Sequence, residues 1–175
     1  NRLAAMMVLR ILLLVLLQAF FLRDVSPLGE WTRPEWTLWA LLLIPPQANS
    51  FLKLILGFAM GVGLDIATGS YGQHMVAGTI LGGLLPSLHR LFAPREGYEI
   101  SDQPILRDMG SSWLVGLTFC AALIYHLSLM VVSNWYWHLI PSALLSTLTS
   151  AAFTTLCCLV LHMMVYAPDR RKSSS

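Results

Sequence analysis

Apolar residues along this chain fall into long runs broken by short polar connections. Leu3 to Leu22 is the first run. A helix of about 20 residues is about 30 Å long, the hydrocarbon thickness of a bilayer. Arg23 to Glu35 is polar and carries Pro27, Gly29 and Pro34, which predicts a loop. Trp36 to Ile44 is the weakest run and ends at Pro45-Pro46, which stop a regular helix. It is too short to cross a bilayer alone. That leaves a short span completed by Pro34 and Gln47, or a re-entrant piece. Phe51 to Ile66 and the run beginning at His74 flank a glycine-bearing break, and Met109 to Val132 and Ser142 to Tyr166 complete the series.

The pattern predicts an all-α polytopic membrane protein, a single integral domain over 1–168 with a tail at 169–175. About six transmembrane helices are expected, over 3–22, 34–47, 50–68, 74–92, 110–132 and 141–166. The first run reads as a retained helix and not a signal peptide, because no A-x-A-like cleavage site follows it. The basic residues support six crossings. On that count Arg2, Lys53, Arg90, Arg95, Arg107, Arg170, Arg171 and Lys172 gather on one side, and Arg23 and Arg33 on the other. The positive-inside rule then makes the N and C termini cytoplasmic.

Composition sharpens the class. Of 175 residues, 56% are hydrophobic and 11% charged, with mean hydropathy +0.66. Soluble domains carry about 25% charge, so this chain lacks the polar residues to cover a water-facing surface. The net charge of +2 is spread over connections, which gives no nucleic-acid-binding patch. Cys120, Cys157 and Cys158 all lie in apolar runs without metal-ligand spacing and are expected as packing residues, not a disulfide.

A few positions break the apolar pattern. Asp65 ends the third run, where a carboxylate costs about 2.5–3.5 kcal/mol on insertion scales. Either it pins its own turn through Thr68, Ser70 and backbone N–H groups, or it handles a proton or solute, with His74 nearby. No second intramembrane acid is evident to accompany it. Gly57-x-x-x-Gly61 and Gly78-x-x-x-Gly82 place small residues one turn apart, which lets two helices approach closely. Packing of the third span on the fourth is the expected use. Gly69 and Gly72 free the backbone for a tight turn between them. Arg10 either snorkels to headgroups or pairs with Asp65 or a partner. Trp31 and Trp36 suit an interfacial belt. Trp135, Tyr136 and Trp137 suit either that belt or the transmembrane part of another protein. The polar stretch Ala93 to Asp108 is a solvated connection or a docking surface.

No HExxH, GxSxG or P-loop pattern occurs. His126, His138 and His162 fall at different depths, which argues against a metal site. The chain is therefore expected to have no catalytic residues, metal or cofactor.

The stretch Gly57 to Gly72 resembles the signature of the rod shape-determining protein MreD family, a Gly-x-x-x-Asp-x-x-x-Gly pattern with a second glycine soon after. Here it falls on Gly61, Asp65, Gly69 and Gly72. Arg33-Pro34-Glu35-Trp36 and the proline closing the second span also fit that layout. The resemblance implies a non-enzymatic subunit of the bacterial lateral-wall elongation machinery in the inner membrane. It also implies a layout similar to the membrane substrate-binding subunits of energy-coupling-factor transporters. The implied direct partner is MreC, with the elongation transpeptidase (a penicillin-binding protein), RodA and MreB as further associates. On this expectation a glycine-lined groove accepts the MreC helix. The competing class is a small-solute, vitamin-type transporter subunit, which calls for convergent polar groups at depth and interrupted helices.

Overall fold

The computed structural model describes residues 2–22, 32–99, 104–133 and 140–166. The helices are α1 (Arg2–Leu17, continuing as a π-helical turn Gln18–Leu22), α2 (Leu38–Leu42), α3 (Ser50–Thr68), α4 (Gln73–Leu91), α5 (Leu106–Met109), α6 (Ser111–Ser133) and α7 (Ile140–Val165). Among the described residues there is no strand. The long helices fall where hydropathy puts them, to within a residue or two. Trp31, Trp135, Tyr136, Trp137 and the tail 169–175 lie outside the described residues.

Among the described residues three helices, α3, α6 and α7, are long and apolar enough to cross a membrane, and Ala5–Phe20 of α1 is a shorter apolar helix. Their outward faces agree with that environment. Leu9, Leu12 and Leu13 of α1 and Leu148, Leu156 and Val160 of α7 are exposed side by side at helical spacing. Such contiguous apolar surface is rare on a protein that faces water.

α3 and α4 form the most intimate pair. Both helices present glycine to the seam. A Cβ on Gly57 or Gly78 would stand inside contact distance of the other's carbonyl oxygen. One on Gly82 would stand 2.6 Å from the Lys53 carbonyl oxygen, and one on Gly61 2.5 Å from Met75 Cα. The backbones therefore touch, which maximises dispersion contact where lipid offers no hydrophobic drive for helix association. Leu56, Met60 and Leu64 of α3 and Leu81 and Leu85 of α4 turn into the core, and α4 packs on α6, whose Leu117 and Ala121 are also buried.

The second run differs from a regular span. Only five residues are helical, and 32–37 is non-helical. Yet Leu38, Ala40, Leu41 and Ile44 are almost fully buried. Glu35 stands beside His74 at the start of α4, and Pro46 is bonded to Lys53, which contacts His89 near the end of α4. This segment thus reaches from the head of α4 toward the level of its far end, with its helix packed on α1, α6 and α7. His74 and His89 are separated by about 22 Å at 1.5 Å per residue. Eleven peptide steps cover that distance only because part of the segment is not helical.

Ala at Gly78 should weaken the fold by about 1–3 kcal/mol through overpacking against Gly57, despite its better helix propensity. Ala at the exposed Gly83, whose Cβ would meet only Leu54 Cδ1 at 3.4 Å, should be neutral or stabilising. Unfolding by denaturing detergent in mixed micelles checks both.

Candidate functional site

Two polar clusters interrupt the apolar bundle, one at each end of α4. The first begins at the turn between α3 and α4. Gly69 ends α3 in the left-handed conformation (φ 72°), its N–H bonding to the Asp65 carbonyl at 2.8 Å, and Gly72 starts α4 with φ 91°. A glycine at the head of α4 offers no side chain to cap it. Asp65 supplies the cap from the other helix. Its Oδ1 accepts from the His74 N–H at 3.0 Å and from the Ser70 hydroxyl at 2.6 Å, and its Oδ2 accepts from the Met75 N–H at 2.8 Å. These are the second and third N–H groups of α4, the pair that an N-cap side chain satisfies. Thr68 bonds Ser70 at 2.7 Å and ties the turn back to the Leu64 carbonyl. Gly61 is small because His74 and Met75 lie against it.

The ring of His74 points elsewhere, and no Asp65–His74 ring pair forms. Its Nδ1 lies 2.7 Å from the Tyr125 hydroxyl of α6 and 3.9 Å from Glu35 Oε1. Glu35 is buried at 7% exposure, and its Oε2 has no partner. Around it, side chains hold the non-helical backbone in place. Gln18 of the π turn donates to the Pro34 carbonyl and accepts from the Trp36 N–H, both at 3.1 Å. The hydroxyls of Ser150 and Thr154 on α7 accept from the N–H groups of Arg33 and Glu35 at 3.0 Å. Thr154 also meets His126 Nε2 at 2.9 Å. Irregular backbone at membrane depth is tolerated only where its polar groups are satisfied in this way. Chemically, Glu35, His74, Tyr125 and His126 form a polar focus able to hold a proton or receive a polar group, and no nucleophile is activated within it.

The second cluster lies where α3 begins and α4 ends. Lys53, counted from sequence as a charge near a connection, is buried at 1% exposure. Its ammonium donates to the Pro46 carbonyl at 2.8 Å and meets His89 Nδ1 at 3.1 Å. His89 stacks on Trp113, whose indole N–H donates to the Tyr98 hydroxyl at 3.1 Å, and that hydroxyl donates to the His89 carbonyl at 2.6 Å. The Gln47 side chain donates to the Glu99 carbonyl beside it.

The sequence-selected Gly57, Gly61, Asp65, Gly69, Gly72, Gly78 and Gly82 come together in one hairpin. Its seam is filled by its own two helices, so it leaves no groove for a third helix. Arg10 is half-buried and makes no hydrogen bond or ion pair among the described residues, so the pairing with Asp65 does not form. Glu35 is the second acid that sequence reading does not find. It sits at a loop-like Pro34-Glu35, and only its place just ahead of an apolar run hints at burial. Tyr125 and His126 lie in an otherwise apolar run that gives no sign of their neighbours. Among the described residues no group of three His, Cys, Asp or Glu could hold a metal ion. The three thiols are free, with Cys158 buried.

Replacing Asp65 by Ala should strip the cap from His74 and Met75 and cost about 0.5–2 kcal/mol, whereas Asn, itself a good cap, should retain most of it. Equilibrium unfolding of both variants in one detergent measures the difference.

The chain matches no protein-family model, no curated protein and no solved structure.

Proposed function

We propose that this chain is a non-enzymatic, multi-pass subunit of the bacterial inner membrane, acting as a scaffold for MreC in the cell-wall elongation complex. In that role it would regulate cell shape and peptidoglycan synthesis. One observation carries the reading. In the stretch that resembles the MreD signature, Gly61, Gly69, Gly72 and the carboxylate are engaged in building the α3–α4 hairpin, and Asp65 has its oxygens occupied by α4 and Ser70. A motif whose polar groups are used up in architecture suits a part that other proteins rest on. The MreC helix then meets a surface that the hairpin shapes, and not the glycine seam itself. The wider complex would bring in the elongation transpeptidase, RodA and MreB.

In this reading the chain crosses six times with both termini cytoplasmic. The burial of Leu38 to Ile44 among α1, α3, α6 and α7 supports counting that segment as a crossing. A reporter placed in the Arg95–Arg107 connection should be active on the cytoplasmic side, and activity on the outer side would overturn the topology. For the partner, Gly61→Leu and Asp65→Ala should lower the yield of MreC co-purified in mild detergent at equal membrane abundance. Unchanged yield for both would refute the scaffold reading.

A small-solute transporter subunit is the second reading. The buried Glu35–His74–Tyr125–His126 cluster and the broken second segment favour it. It predicts a polar small molecule retained through purification, detectable by mass spectrometry and lost in Glu35→Gln.

A further inference from the structure

The cluster around Lys53 encloses a half-open cavity of about 260 Å³ whose polar lining is Lys53, His89, Arg90, Ser50 and Tyr98. Two of these five, Lys53 and Arg90, are cationic, and no carboxylate lines the cavity. Neither does any carboxylate among the described residues lie within ion-pair distance of Lys53 or Arg90. An ammonium buried without a counter-charge is costly, and a protein normally pairs it.

The hydrogen bonding leaves donors open. The Lys53 ammonium has three N–H groups, and two are accounted for by the Pro46 carbonyl and His89 Nδ1. Because Lys53 can only donate, Nδ1 of neutral His89 is the acceptor, and the ring proton sits on Nε2. That Nε2–H is buried and has no partner, on a side chain 2% exposed. Arg90 is exposed, and one bond to Ser87 at 3.0 Å leaves most of its guanidinium donors available. Ser50 stands at the first turn of α3, where the helix dipole favours negative charge.

We propose that this cavity binds a phosphate group, with Lys53 and Arg90 as its donors. A cavity below the roughly 300 Å³ of drug-sized sites suits a headgroup or a small anion. α3 is long and apolar enough to cross a membrane, and a helix that does so brings its first turn to the headgroup region. A phosphate there supplies the counter-charge that Lys53 lacks among the described residues. The same chemistry could come from an anionic lipid or from free phosphate.

The test uses the full chain purified in a neutral detergent, with phosphatidylglycerol, phosphatidylcholine and inorganic phosphate as separate probes. Native mass spectrometry should find phosphatidylglycerol retained in preference to phosphatidylcholine. Lys53→Met and Arg90→Gln should each reduce that retention about fivefold, the worth of one basic residue at an anionic surface. Arg90 is exposed, so its variant reports on binding even if Lys53→Met fails to fold. If inorganic phosphate raises the melting temperature of the wild type but not of Arg90→Gln, while neither lipid is preferred, the anion is free phosphate. If neither probe binds, or if Arg90→Gln keeps wild-type retention, the site does not exist. None of these readouts depends on MreC, so the outcome is separate from that of the scaffold reading.

Discussion

Gly57 and Gly78 stand backbone against backbone, and that approach holds only if the chain reverses at one fixed height between α3 and α4. The Asp65 carboxylate sets the height. It belongs to α3 but bonds the N–H groups of α4, so the two helices share one hydrogen-bonded terminus. Slipping α4 by one residue would withdraw those N–H groups from the carboxylate and push a side chain into each glycine notch. Capping and packing therefore select the same register. Neither would suffice alone, because a glycine seam without a fixed turn can slide, and a capped turn with larger side chains cannot close.

The rest of the bundle is built on that hairpin. Its first turn carries His74, whose ring reaches Tyr125 on α6 and Glu35 on the irregular segment. Its last turn carries His89, which meets Lys53 and stacks on Trp113 of α6. α6 is thus attached to α4 at both ends, and the segment 35–46 is held in the space alongside. The buried hydroxyls of α7 find their purpose here. Ser150 and Thr154 receive backbone N–H groups that a helical span would have satisfied internally. The π turn at Gln18 is the corresponding device on α1, because widening the helix end lets its amide address both Pro34 and Trp36.

Hydropathy placed α3, α4, α6 and α7 closely because a bilayer-length apolar run admits little besides a helix. Asp65 was legible as a carboxylate pinning its own turn for a local reason, since its partners lie within ten residues and include Ser70. The glycine seam was legible because its spacing is a one-dimensional pattern. Glu35, Tyr125, His126 and Thr154 were not, since they come from three separate elements and nothing in their spacing announces their convergence. Lys53 misled for a different reason. Lysine near the end of an apolar run ordinarily extends to water, and here Pro46 and His89 hold its ammonium inside.

The placement of the polar groups bears on which functional class the architecture favours. Glu35 and His74 lie at one end of α4, and Lys53 and His89 at the other. The positions between them on α3, α4 and α6 are Met60, Leu64, Leu81, Leu85, Leu117 and Ala121, all closed to solvent. A solute moving from one cluster to the other along α4 would have to part α3 from α4 or α6 from α4. Parting α3 from α4 breaks the shared cap at Asp65 and opens backbone contacts that no side chain is present to refill. A carrier needs its moving surfaces to have two comparable packings, whereas the apposed glycines fit each other closely in this one. Under the scaffold reading proposed above, such a close seam keeps the helices it joins at a fixed distance from one another.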